Sequence, residues 1–143
     1  MSRIIAFDYG TKRIGIAVTD ELQIISTALD TIPTSTIINF LNTYLSNNYV
    51  EMFVIGLPKN MNGTENIMTQ NVIRFSTLLH NHFPNITIHF FDERLTSKIA
   101  AQTLFLSGLP KKTRQQKALL DQTAAAIILQ DFMMSRQIER SIN

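Results

Sequence analysis

The chain has 143 residues, 45% apolar and 17% charged, with a formal net charge of +2 and no cysteine. This length suits a single domain over residues 1–143 with a real core, and the composition is globular rather than disordered. A disulfide framework and a thiolate metal site are excluded; no stretch approaches the roughly 18 apolar residues of a membrane span.

Ser2-Arg3 leads straight into the apolar run Ile4–Phe7, without the basic-then-apolar pattern of a signal peptide, so the expected location is the cytoplasm. Ile4–Phe7 and Ile14–Val18 read as paired strands joined by a turn at Gly10. Ile24–Ile32 supplies a third, after a tight connection at Asp20-Glu21 and before a stop at Pro33, which makes an antiparallel meander. Ser35–Leu45 has helical spacing, with Thr34 or Ser35 as N-cap. Met52–Ile55 is a short strand stopped by Gly56-Leu57-Pro58. Asn66–His82 is a helix whose inner stripe is Ile67, Val72, Phe75, Leu78 and Leu79. Ile86–Phe91 alternates as a strand does, Ser97–Leu106 is a helix ended by Gly108-Leu109-Pro110, and Arg114 to about Arg140 is a long final helix. A meander followed by alternating strands and helices implies an α/β protein, a mixed sheet with helices on both faces.

Three acids stand where acids are costly. Asp8 ends the first apolar run, Asp92-Glu93 ends Phe90-Phe91, and Asp121 lies within Leu119–Ala124. In the final helix, positions 121, 124, 125, 128 and 132 share one face, which sets Asp121 at the start of an inward stripe. The helix dipole offers a carboxylate there only about 0.3–1 kcal/mol, too little to offset burial. Unit charges about 4 Å apart repel by roughly 4 kcal/mol at an effective dielectric of 20, so three such acids in one place need a cation. All-oxygen ligation favours Mg²⁺ or Mn²⁺, and a pair of such ions suits phosphodiester hydrolysis. The three histidines, His80, His82 and His89, do not pair at zinc spacing.

The charge is unevenly spread. From Arg94 to Leu120 there are six basic residues (Arg94, Lys98, Lys111, Lys112, Arg114 and Lys117) and no acid. That pattern suits a polyanion held near a metal, although a solvated helix face and loop would look the same. Lys12 and Arg13, beside Asp8, either grip phosphates or are exposed turn charges; Arg94 reads as an internal counter-ion. Tyr9 reads as a packed aromatic rather than a base-stacking one.

Four motifs, Asp8-Tyr9-Gly10-Thr11-Lys12-Arg13-Ile14-Gly15-Ile16-Ala17, Gly56-Leu57-Pro58-Lys59-Asn60-Met61-Asn62-Gly63, Asp92-Glu93-Arg94-Leu95-Thr96, and Asp121 with Ala124-Ala125, closely resemble the YqgF family, also called RuvX. The resemblance covers essentially the whole chain. It implies an RNase H-like fold with strand order 3-2-1-4-5, and a metal site made by Asp8, one acid of Asp92-Glu93, and Asp121. Neighbouring strand residues face opposite ways; the family pattern and the longer reach favour Glu93. Asn62 stands where the family usually has Asp, and Asn-Gly is equally good turn chemistry. The implied activity is metal-dependent nucleolytic cleavage in 5′-end processing of pre-16S rRNA, with Holliday junction resolution as the alternative. The implied partner is thus a nucleic acid, pre-rRNA or branched DNA, and the assembly is left open between monomer and homodimer. A reading of another class keeps the fold as a non-catalytic nucleic-acid- or ribosome-binding factor. The phosphate loop of sugar kinases and actin-like ATPases also opens with Asp-x-Gly-Thr, but those enzymes close two such domains around ATP.

Overall fold

Five strands form one sheet in the computed structural model, which describes residues 1–60, 62–93 and 123–142. They are β1 (Arg3–Tyr9), β2 (Arg13–Thr19), β3 (Ser26–Pro33), β4 (Val50–Leu57) and β5 (Thr87–Asp92), in the order β3-β2-β1-β4-β5. β1, β2 and β3 are antiparallel neighbours, while β4 and β5 run parallel to β1. The helices are α1 (Ile37–Asn47), α2 (Ile67–His82) and α3 (Ala124–Ile142). The expected strand order and mixed sheet are thus present. The helix expected over Ser97–Leu106 lies outside the described residues.

Ile4, Ile5, Ala6 and Phe7 are all fully buried because β1 is central and covered on both faces. Ile5 and Phe7 join β2, β4, α1 and α2 in one core, built on Phe53, Leu41, Phe75 and Leu79. Ile4 and Ala6 face the other way, into a second core with Ala17, Val54, Ala125, Ala126, Ile128 and Leu129. The small residues on that side let α3 lie close to the sheet. Ser26 Oγ donates to Ala126 O at 2.9 Å and ties β3 to the same helix.

Several expectations change in detail. β3 begins at Ser26 because the Asp20 carboxylate takes the N–H groups of Ile24 (2.7 Å), Ile25 (2.8 Å) and Leu22 (3.2 Å), which holds the chain in a turn. Pro33 ends the strand rather than standing outside it, since an edge strand tolerates a missing donor. Neither Thr34 nor Ser35 caps α1. A 3₁₀ turn over Thr34–Thr36 leads into the helix, and the Thr34 hydroxyl instead donates to Gly10 O at 2.6 Å. In α2, Ile67 is 82% and Leu78 41% exposed, and the inward stripe is Thr69, Val72, Phe75 and Leu79. Thr69 earns its buried place through hydrogen bonds: its hydroxyl donates to Pro58 O, and it completes a capping box with Asn66.

The final helix differs most. Thr123 O accepts from Ile127 N at 3.1 Å and Thr123 Oγ1 from Ala126 N at 3.4 Å, so Thr123 caps a helix that begins at Ala124. The expected single helix from Arg114 to about Arg140 is therefore corrected at Thr123, through which it does not run unbroken. Ala125, Ile128 and Phe132 do form the buried stripe. Asp121 lies outside the described residues.

Candidate active site at one end of the sheet

The site grows from the strand alternation of β1. Ile4, Ala6 and then Asp8 point toward α3, while Ile5, Phe7 and Tyr9 point toward α1 and α2. Asp8 pairs with Gly15 of β2. The parallel register Phe7↔Ile55, carried one residue further, sets Asp8 beside Gly56 of β4. Across three strands the row on the α3 side reads Gly15, Asp8, Gly56, so the carboxylate is the one side chain that rises from it.

Glu93 follows the last residue of β5 and comes to the same face. Its Oε1 lies 2.6 Å from the point a Cβ on Gly56 would occupy, and its Cγ 3.1 Å. Ile128 Cδ1 of α3 lies 2.7 Å from that point. Glu93 thus extends over β4, alongside α3, toward the strand that carries Asp8. Asp92 is half-buried and pairs in register with Leu57. Among the described residues no group of three His, Asp or Glu side chains comes together. Asp121, the third expected acid, lies outside the described residues.

The turn between β1 and β2 is tight: a Cβ on Gly10 would fall 2.5 Å from Arg13 O, so only glycine fits there. Lys12 and Arg13 are exposed on this turn, a few residues from Asp8. Tyr9 is a packed aromatic, as expected, with its ring 4.9 Å from that of Phe75. Lys98, Lys111, Lys112, Arg114 and Lys117, and Arg94 with them, lie outside the described residues. Asn62 has a local task. Its Oδ1 accepts from Thr64 N (3.1 Å) and Thr64 Oγ1 (2.7 Å), while Gly63 takes a φ of 87°. That is the turn chemistry expected of Asn-Gly.

Gly56 was legible in the sequence only as a strand stop, yet β4 runs through it to Leu57. Glycine inside a strand signals a bulge or a close approach, and here the approach is that of Glu93 and Ile128.

The architecture is that of the RNase H-like proteins. It is similar to "T. thermophilus RuvC in complex with Holliday junction substrate", with a TM-score of 0.51 and 13% identity over 96% of each chain. The chain belongs to the RuvX family, described as "Holliday junction resolvase", whose model matches residues 2–135. Relatives named "Putative pre-16S rRNA nuclease" share much of the sequence. The protein of Flavobacterium psychrophilum is 50% identical over 93% of this chain and 97% of its own length. That of Flavobacterium johnsoniae is 49% identical over 96% and 99%, and that of Bacteroides thetaiotaomicron 45% identical over 96% and 99%.

Proposed function

We propose that this chain is a metal-dependent endonuclease that hydrolyses phosphodiester bonds and acts in maturing the 5′ end of pre-16S rRNA. The observation that carries the reading is the arrival of Asp8 and Glu93 on one face at one end of the sheet, with glycine at the neighbouring strand positions 15 and 56. The ribosomal substrate is preferred because relatives sharing 45–50% identity over nearly their whole length carry that name. The family description favours a second reading, Holliday junction resolution. Paired cuts in a four-way junction would call for a homodimer, whereas one copy suffices for one cut in RNA. Either substrate would be met in the cytoplasm. Among the described residues no helix is long and apolar enough to cross a membrane.

The residues present fit a hard divalent cation. Asp8 and Glu93 are oxygen donors that come to one face, and Asp121 would add a third, the all-oxygen donor set that such an ion takes. These three acids would hold Mg²⁺ or Mn²⁺. When bound, the ion supplies Lewis acidity toward the scissile phosphate and offsets the repulsion between the carboxylates. Asp8 is fixed by the central strand, so its carboxylate needs no reorganisation as substrate arrives. Lys12 and Arg13 on the rigid Gly10 turn hold phosphates beside the scissile bond, the arginine through a bidentate grip. Lys98, Lys111, Lys112, Arg114 and Lys117 carry the backbone further.

The test is a side-by-side cleavage assay on a 5′-extended 16S rRNA precursor and a four-way DNA junction, each with Mg²⁺ and with EDTA. Metal-dependent cleavage of the precursor supports the proposal. Preferential cleavage of the junction moves the assignment to the second reading, and cleavage of neither leaves a binding factor.

A further inference from the structure

We propose that Gly56 is a positioning residue for Glu93: its missing side chain is the space through which the carboxylate crosses β4 toward Asp8. On the α3 side β4 presents Met52, then Val54, then Gly56. The drop in size falls at the residue where Glu93 arrives. Two side chains from outside the strand share the vacated volume, Glu93 Oε1 at 2.6 Å and Ile128 Cδ1 at 2.7 Å from the position of a Cβ. Both distances are shorter than non-bonded contacts allow, so even an alanine must displace one or both. Ile128 can yield by rotating its terminal methyl. Glu93 yields by swinging its carboxylate off its place over β4. Gly15, on the other flank of Asp8, is different: a Cβ there would meet Ala125 Cβ and Asp8 Cβ at 3.7 Å, ordinary contact distances. Of the two glycines beside Asp8, only Gly56 is required by an approaching acid. Its backbone is not in the left-handed region, so the requirement is one of volume rather than of conformation.

The inference rests on the metal-site reading above for its functional consequence, and on the packing alone for its physical content. The test compares wild type, Ile128→Val, Gly56→Ala and Gly56→Ala/Ile128→Val, the last relieving the methyl contact and leaving only the contact with Glu93. Mn²⁺ affinity is measured by titration calorimetry and melting temperature in EDTA. Ile128→Val should bind Mn²⁺ as wild type does. Gly56→Ala/Ile128→Val should melt below Ile128→Val, because the contact with Glu93 remains, and should bind Mn²⁺ roughly 10–100-fold more weakly, the usual range when a ligand loses its orientation. In cleavage, kcat should fall while KM stays unchanged, because the phosphate-binding cations are untouched. If the double variant binds Mn²⁺ as Ile128→Val does, Gly56 serves only the packing of α3 and the proposal is wrong. Truncation of Glu93 gives a metal-free check. Gly56→Ala should cost far less melting temperature in an Ile128→Val/Glu93→Ala background than in Ile128→Val alone. An equal cost in both would overturn the proposal, even if the double variant fails to fold. Failure of the wild type to bind Mn²⁺ would overturn the metal-site reading, and the Glu93 truncation would still decide what fills the space at position 56.

Discussion

Gly15→Ala should stabilise the protein, although Gly15 flanks the same carboxylate as Gly56. Gly15 lies within β2, paired with Asp8 and with Thr31, and its φ is not in the left-handed region. A methyl there would rest at 3.7 Å from Ala125 Cβ and Asp8 Cβ and at 4.0 Å from Asp8 O. It would fill contact volume under α3 without displacing an atom. Burying one methyl gains about 0.8 kcal/mol, and removing glycine's freedom from the unfolded chain gains about 0.4–1 kcal/mol more. The sum, about 1–2 kcal/mol, corresponds to a rise in melting temperature of roughly 2–6 °C for a domain of this size. Urea denaturation and calorimetry in EDTA measure both quantities. Cleavage should survive, because the new methyl meets Asp8 at Cβ rather than at the carboxylate. A loss of more than about 0.5 kcal/mol would lie outside ordinary surface scatter; it would show that α3 lies closer to β2 than the 3.7 Å contact implies, and would remove the contrast with Gly56.

Thr19 is fully buried and its Oγ1 accepts from Ile4 N at 2.9 Å. Thr19→Val keeps the shape but strands that N–H, and should cost about 1–3 kcal/mol in urea denaturation. The Asp20 carboxyl is held below its ordinary value by the N–H of Ile25 first, then those of Ile24 and Leu22. A depressed folded value means stability that is present above about pH 3.9, the unfolded value, and lost as pH falls through the folded one. Asp20→Ala should therefore be destabilised near neutrality and lose less of its remaining stability between pH 4 and pH 2; identical acid profiles for the two proteins would refute this. For nucleic-acid binding, Lys12→Ala/Arg13→Ala should lower the log–log salt slope on duplex DNA by up to about two units, and Lys111, Lys112 and Arg114 changed together to Ala by up to about three. An unaltered slope in either variant removes that stretch from the substrate path.

The strands and the antiparallel meander were legible because the alternation and the turn residues agree across the first 93 residues, while the strand order came from the family resemblance. Ile4–Phe7 reads as a strand buried on both faces, and it is one. The element ends were less legible, for identifiable reasons. Ile24 and Ile25 look like strand residues, but the Asp20 carboxylate, four and five residues earlier, takes their N–H groups. Ile67 and Leu78 fit a helical stripe, yet Thr69 holds the buried position because a hydrogen bond to Pro58 O and a capping box satisfy its hydroxyl. The start of α3 was misread because Ala124–Ala126 continues the apolar pattern on either side, and periodicity does not distinguish an internal Thr123 from a capping one. In the candidate site, Asp8 and the pair Asp92-Glu93 could be picked out as acids at apolar strand ends, and the preference for Glu93 leaned on the family pattern. The role of Gly56 could not, since it depends on a side chain thirty-seven residues away in sequence and on a helix beyond that.

The most direct measurement is cleavage of a 5′-extended 16S rRNA precursor by wild type, Asp8→Asn and Glu93→Gln, each with Mg²⁺ and with EDTA, alongside the affinity of each for the same RNA. Both substitutions keep side-chain shape and remove one negative oxygen donor. Wild type should cleave only with metal, and both variants should lose cleavage while retaining RNA binding. Undiminished metal-dependent cleavage by either variant would contradict the assignment of that acid to the metal site. EDTA-resistant cleavage by the wild type would contradict the metal-dependent mechanism altogether.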